Sequence, residues 1–180
     1  MNRHSMDGAG NSGMQSRFFV HDLALAVQFL TRLPLPVNTV PDSSRMAAAV
    51  RFYPFVGVIV GSIVAAIHSG MTRILPPLPA AAVTVTAWAA LTGAMHLDGL
   101  MDAADGLLSN RGRDKALEIM KDSRVGSMGA VAGTFIILLK LSTVASIEGW
   151  PRSVGLMSAT VAGRAAMVFC LISFPYARES

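Results

Sequence analysis

Long apolar runs separated by short turns cover most of the chain. Four of them approach the roughly 20 apolar residues needed to cross a bilayer, over about residues 55–75, 80–97, 128–147 and 154–174. A short segment at residues 76–79 separates the first run from the second, and another at residues 149–151 separates the third from the fourth. Both segments contain proline, which favours a turn. Short connections place neighbouring helices antiparallel. The pattern predicts an all-α, polytopic transmembrane helical bundle with about four spans.

The N-terminal part follows a different pattern. Residues 1–16 are polar and rich in Gly, Ser and Asn, which predicts a disordered tail without the apolar core of a secretory signal. Apolar residues then recur at helical spacing between Phe18 and Leu33. This predicts an N-terminal amphipathic helix, which lies either in the membrane interface or against the bundle. Pro34 and Pro36 end it, a loop follows to Ser44, and residues 17–180 form a single integral membrane domain.

Composition supports a membrane protein. Hydrophobic residues make up 52% of the chain and charged residues 14%, against about 25% charged residues in a typical soluble domain. Mean hydropathy is +0.50. These values argue against a simple soluble domain. The single cysteine, Cys170, excludes an internal disulfide and a cysteine zinc site.

The basic residues predict an orientation. If all four segments span, the N-terminal region and the central loop lie on one side of the membrane, and the two short turns lie on the other. Only Arg73 and Arg152 fall on the side of the short turns. The positive-inside rule makes the richer side cytoplasmic. The net charge of +4 then reflects topology, and nucleic acid is not an expected partner. The basic residues on the richer side are Arg17, Arg32, Arg45, Arg51, Arg111, Arg113, Lys115, Lys121 and Arg124.

Three aspartates follow the second apolar run. At about 100° per residue, Asp98, Asp102 and Asp105 fall on one face of a helix, within about 40° of Asp98. Clustered carboxylates are hard oxygen ligands, which favour magnesium, manganese or calcium over zinc. The alternative is a solvated helix end. Gly99 and Gly106 either admit a phosphate close to the backbone or make helix contacts.

The central loop, at about residues 98–127, holds further candidates. Asp114 is a plausible N-cap for a short amphipathic helix over residues 115–121. Asp122 is a further candidate metal ligand, and Lys121 and Arg124 are candidates for binding phosphate oxygens. The alternative is that these basic residues reflect topology alone.

Two cations interrupt the last two apolar segments. Lys140 and Arg164 lie where ionised groups are rare and usually face a bundle interior or a polar cavity. They either neutralise an anionic substrate, or snorkel or form internal ion pairs. His68 is expected to be a hydrogen-bonded interior histidine. His96 is expected to point away from Asp98, because it lies about 200° from it around a continuous helix.

Several motifs together resemble one known family. Residues 92–106 (TGAMHLDGLMDAADG) and 116–126 (ALEIMKDSRVG), with 25–34 (LAVQFLTRLP) and 52–57 (FYPFVG), are similar to cobalamin synthase, adenosylcobinamide-GDP ribazoletransferase. The resemblance extends from Phe18 to Arg178, and this combination is far more specific than an isolated aspartate cluster.

The resemblance implies a magnesium-dependent, multi-pass transferase of the bacterial inner membrane with a cytoplasmic catalytic loop. It would join adenosylcobinamide-GDP to alpha-ribazole, or to its 5'-phosphate, and release GMP in the last steps of cobalamin biosynthesis. On this basis we expect Asp98, Asp102 and Asp105 to be catalytic. The expected metal ligands are Asp98, Asp102, Asp105 and Asp122, and the expected substrate-binding residues are Lys121, Arg124 and Lys140.

Alternatives to this activity stay open at the level of sequence. The chain looks shortened at its C terminus relative to the family, so it is inactive, is completed by oligomerisation, or needs a partner such as another enzyme of nucleotide-loop assembly. A second reading is a membrane phosphoalcohol transferase of CDP-alcohol type, whose aspartate pattern is only partly present. The non-enzymatic alternative is a cation transporter or a structural membrane subunit.

Overall fold

A computed structural model describes residues 7–35, 42–147 and 150–176, and the regular structure in these ranges is entirely helical. The predicted all-α fold class is confirmed. The helices in chain order are α1 (Asp7–Leu30), α2 (Ser43–Ala49), α3 (Tyr53–Met71), α4 (Pro77–Leu91), α5 (Met95–Leu107), α6 (Arg113–Ile119), α7 (Ser127–Ser146) and α8 (Trp150–Ser173). A single 3-10 turn, Val50–Phe52, joins α2 to α3.

Three helical segments in the described part of the chain are long and apolar enough to cross a bilayer: Ser43–Met71, Ser127–Ser146 and Arg152–Ser173. They correspond to three of the four predicted spans, with ends that differ by a few residues or more. The fourth corresponds to α4 and α5, which reach that length only together and are bent by 86° at their junction. The described residues therefore hold three spans, or four if the bent pair is counted as one.

The bend between α4 and α5 corrects the predicted second span. That span was expected to continue to Leu97, but α4 ends at Leu91 and α5 begins at Met95. Between them Gly93 and Ala94 adopt left-handed conformations, with φ of 61° and 56°, which a right-handed helix cannot accommodate. The backbone N–H of Arg32 donates to the Leu91 carbonyl at 2.8 Å and so satisfies the end of α4.

The N-terminal helix starts earlier than predicted. The backbone is helical from Asp7, so α1 begins within the stretch predicted as a disordered tail, and residues 1–6 lie outside the described residues. Helix α1 packs against the bundle, with Ala26 and Leu30 fully buried in the same core as Val56 of α3. This contact favours the second alternative for the amphipathic helix, packing on the bundle. Buried Asp22 also pairs with Arg51 at 2.9 Å.

Close packing of α3 against α8 forms the centre of the fold. Gly57 and Gly61 face α8, where a Cβ at Gly57 would lie 2.8 Å from the Thr160 carbonyl oxygen. The Thr160 hydroxyl donates to the Gly57 carbonyl at 2.8 Å. Small residues at such crossings allow two backbones to approach and gain van der Waals contact. These contacts therefore fix the position of α3 along α8.

The buried side chain of His68 links α3, α4 and α8. His68 of α3 is 3% exposed, and its Nδ1 lies 2.8 Å from the Thr84 hydroxyl of α4. Its Nε2 lies 3.0 Å from a guanidinium nitrogen of Arg152 in α8. The prediction of a hydrogen-bonded interior histidine is confirmed.

Candidate functional site

Helix α5 presents the three aspartates in different environments. The helix is continuous from Met95 to Leu107, so their placement on one face follows from its periodicity. Asp98 is exposed, whereas Asp102 and Asp105 are half-buried. Within the described part of the chain, the carboxylates of Asp98 and Asp102 make no hydrogen bond or ion pair. These two side chains are available to a ligand.

Asp105 has a different role, because its carboxylate binds the first turn of α7. One oxygen accepts the backbone N–H of Gly126 at 2.8 Å, and the other accepts that of Gly129 at 2.7 Å. These amides would otherwise be unsatisfied at the helix N-terminus, where a negative charge is also favoured. A Cβ at either glycine would overlap the Asp105 carboxylate. Asp105 therefore docks α7 onto α5.

Asp122 and Arg124 form a two-pronged ion pair on the surface. Arg124 Nη2 donates to one Asp122 oxygen at 2.7 Å, and Nε donates to the other at 3.0 Å. Hydrogen bonds from the Arg124 side chain and backbone lower the pKa of Asp122 to about 2, and Asp122 in turn raises the pKa of Arg124. In this arrangement each side chain neutralises the other.

The predicted metal ligands do not form one cluster. Among the described residues, no group of three or more His, Cys, Asp or Glu side chains is arranged to hold a metal ion. Asp105 is engaged by backbone amides and Asp122 by Arg124. Magnesium in proteins is nevertheless commonly held by only one or two carboxylates, with water and substrate phosphates completing its shell. The free pair Asp98 and Asp102 fits that smaller donor set, and the four-carboxylate site stays a prediction.

The central loop differs in detail from its prediction. Helix α6 covers Arg113–Ile119, not residues 115–121, and its N-cap is Gly112. Asp114, predicted as the N-cap, lies in the first turn, where its charge still complements the helix dipole. Lys121 lies exposed in the turn that follows α6.

The two glycines of α5 have different surroundings. A Cβ at Gly106 would lie 2.6 Å from Met120 and 2.9 Å from the Ala116 carbonyl, so Gly106 makes a helix contact with α6. At Gly99 a Cβ would meet nothing within 4 Å. The backbone beside Asp98 is therefore open to an approaching group.

Lys140 lies apart from the loop, in a cavity at the bend between α4 and α5. Its ammonium is 4.4 Å from the centre of the Trp88 ring, a distance typical of a cation–π contact. His96 lines the same cavity, and its Nε2 lies 3.2 Å from the Met167 sulfur of α8. Because α5 is continuous through Gly99, helical periodicity keeps His96 about 200° from Asp98, as predicted.

Sequence reasoning missed the partners of Asp105 and Lys140. Gly126, Gly129 and Gly133 recur at spacings of three and four along α7, and such a line of small residues is a detectable signal of close helix contact. Gly133 indeed faces Met101 of α5. No local signal connects Lys140 with Trp88, which lies on another helix.

The helical spans and the bent pair define a polytopic α-helical membrane protein. Asp98 and Asp102 lie on α5, the second helix of the bent pair. Residues 22–180 match the family described as cobalamin-5-phosphate synthase. The chain belongs to this family.

Individual relatives carry a consistent name. An adenosylcobinamide-GDP ribazoletransferase of Desulforamulus reducens is 41% identical over 88% of this chain and 63% of its own length. One from Roseiflexus is 41% identical over 86% of this chain and 57% of its own length. One from Pseudomonas aeruginosa is 38% identical over 88% of this chain and 65% of its own length. The chain thus spans about three fifths of these relatives. The comparison with solved structures gave no match.

Proposed function

We propose that this protein acts as an adenosylcobinamide-GDP ribazoletransferase in the last steps of cobalamin biosynthesis. The observation that carries the proposal is the family match over residues 22–180, together with relatives of that printed name. The substrates are adenosylcobinamide-GDP and alpha-ribazole or its 5'-phosphate. The site lies on the cytoplasmic side of the bacterial inner membrane, in accord with the excess of basic residues beside it.

The reaction is a transfer at phosphorus. A ribose hydroxyl oxygen bonds to the phosphorus that carries the cobinamide arm, the anhydride bond to GMP breaks, and GMP leaves with its electron pair. The hydroxyl proton passes to a carboxylate of α5. Asp98 and Asp102 are best suited to this role, because both are free of other partners in the described part of the chain, and Gly99 leaves the adjacent backbone open.

Asp98 and Asp102 would also hold magnesium, which supplies positive charge against the pyrophosphate when bound. Asp105 positions α7 through its two backbone hydrogen bonds. Lys121 and Arg124, which lie in the central loop, bind phosphate oxygens of the substrate. Arg124 does so after it releases Asp122. Lys140 contributes positive charge from the neighbouring cavity.

Magnesium-dependent GMP release in liposomes tests this proposal. The double variant Asp98→Asn, Asp102→Asn is expected to lose at least about a hundredfold in rate, a loss typical of removing general-base or metal-ligand function. Asp114→Asn is the control for the loss of acidic charge, because it removes one carboxylate from an exposed position of the adjacent helix. Control activity should equal that of the parent.

Three other outcomes would contradict the proposal. Turnover that survives in the double variant at ordinary magnesium would exclude Asp98 and Asp102 from catalysis. Transfer from a CDP-linked lipid in place of adenosylcobinamide-GDP, or metal flux across vesicles without GMP release, would instead support the phosphoalcohol transferase or the transporter.

A further inference from the structure

Arg164 is a buried guanidinium with unused hydrogen-bonding capacity. It lies within α8 and is 4% exposed. One of its terminal nitrogens donates weakly to the Thr160 carbonyl, at 3.4 Å. Its Nε and its second terminal nitrogen are buried and have no hydrogen-bond partner in the described part of the chain. Such groups are costly in a bilayer unless they are paired.

The cavity beside Arg164 is positively charged. It has a volume of about 290 Å³ and is lined by residues of α4, α5, α7 and α8. Arg164 provides its buried cation and Lys140 its exposed one. No acidic side chain is among the described residues that line it. Arg164 and Lys140 therefore line one cavity, and no counter-ion for them is among the described residues that line it.

We infer that this cavity is a binding site for a phosphate or phosphate-ester anion, held by the Arg164 guanidinium and the Lys140 ammonium. The unpaired Nε and terminal nitrogen lie on one edge of the guanidinium, and that edge matches two oxygens of a phosphate. The two cations match the charge of a phosphate dianion. Trp88, Leu97 and Ile137 supply apolar walls, which suit the organic part of a phosphate ester.

This inference rests on Arg164, Lys140 and the cavity that both residues line. The transferase proposal also assigns Lys140 to a phosphate, but the binding test below requires neither GMP release nor Asp98 and Asp102. A water-soluble compound and a membrane lipid can both supply the phosphate group that this site would bind. A water-soluble phosphate enters from the aqueous side, and a lipid phosphate enters laterally from the bilayer past exposed Lys140. The experiment must distinguish them.

Trp88 provides a local reporter. The chain contains two tryptophans, so a Trp150→Phe background leaves Trp88, which stacks under Lys140, as the only one. The protein is purified in uncharged dodecyl maltoside and titrated with inorganic phosphate or with dihexanoyl phosphatidic acid. Sodium chloride at equal ionic strength and zwitterionic dihexanoyl phosphatidylcholine are the ligand controls. Saturable change with phosphate identifies a water-soluble source, and change with phosphatidic acid alone identifies a lipid source.

The variants test which side chains bind the anion. Arg164→Gln is expected to weaken binding by about tenfold or more, because charge-assisted hydrogen bonds are lost. Lys140→Gln should weaken it less, and Arg164→Lys should restore part of the affinity. Arg111→Gln removes an exposed charge from the central loop and should leave binding unchanged.

A second measurement covers the case in which Arg164→Gln folds poorly. The effective anion should raise the unfolding temperature of the parent, since a ligand that binds only the folded state stabilises it. The inference is overturned if neither anion produces a saturable Trp88 signal or an unfolding shift in the parent. It is equally overturned if a folded Arg164→Gln protein binds the anion as tightly as the parent.

Discussion

At the scale of single residues, the three aspartates of α5 differ in what their carboxylates contact. Asp98 and Asp102 have no partner among the described residues, whereas both oxygens of Asp105 accept backbone N–H groups of α7. One helix face thus carries two carboxylates that are available to a ligand and one that holds α7 against α5. Changes at these positions should separate activity from stability.

Asp105→Asn is expected to lower the free energy of unfolding by about 1–3 kcal/mol, the cost of leaving a partly buried donor unsatisfied. An amide keeps only one acceptor oxygen, so either the Gly126 or the Gly129 N–H would face a donor. Asp98→Asn is the control and should change stability by less than about 0.5 kcal/mol, because its side chain is exposed. Unfolding in mixed detergent micelles measures both. Equal stability of the two variants would show that the Asp105 contacts contribute nothing.

At the scale of helices, glycine spacing determines how closely α3 and α8 approach. A Cβ at Gly57 would lie 2.8 Å from both the Thr160 carbonyl oxygen and the Val161 Cα, which are backbone atoms that cannot rotate away. The helices would have to separate, and the Thr160 hydrogen bond to Gly57 would lengthen. This crossing is therefore sensitive to a single methyl group.

Gly57→Ala should destabilise the protein by about 1–3 kcal/mol, as overpacking commonly does. Gly70→Ala is the matched control, because Gly70 lies on the same helix and a Cβ there meets nothing within 4 Å. The control should be neutral or slightly stabilising, since alanine favours helix more than glycine does. The comparison uses the same unfolding assay. A Gly57→Ala protein as stable as Gly70→Ala would contradict the close α3–α8 crossing.

Helices were predictable from sequence where their apolar runs were long, as in α7 and α8. The bend after Leu91 was not, because Ala94, Met95 and Leu97 continue the apolar run and Gly93 is the one residue among 92–97 that favours a turn. The turn is also stabilised from outside, by Arg32, about 60 residues earlier in the chain. In the same way, periodicity placed Asp105 beside Asp98 but could not show that Gly126 and Gly129 bind it. Local pattern determined the helices, and long-range contacts determined the site.

At the scale of the whole molecule, the orientation in the membrane decides which compartment reaches the acidic site. The basic loop between α5 and α7 and the turn between α3 and α4 lie at opposite ends of the predicted topology. From the positive-inside rule we predict that the loop lies in the cytoplasm. The opposite orientation would expose Asp98 and Asp102 to a compartment that does not supply the nucleotide substrate proposed above.

Cysteine labelling in spheroplasts tests this orientation. In a Cys170→Ser background, a membrane-impermeant maleimide should label Ile74→Cys in intact cells, because Ile74 lies exposed in the turn after α3. Gly112→Cys lies in the basic loop, where a side chain meets nothing within 4 Å, and should be labelled only after the membrane is opened. Labelling of Gly112→Cys but not Ile74→Cys in intact cells would reverse the orientation. The proposed cytoplasmic transferase could not operate in that arrangement, since its GDP-linked substrate would lie across the membrane from Asp98 and Asp102.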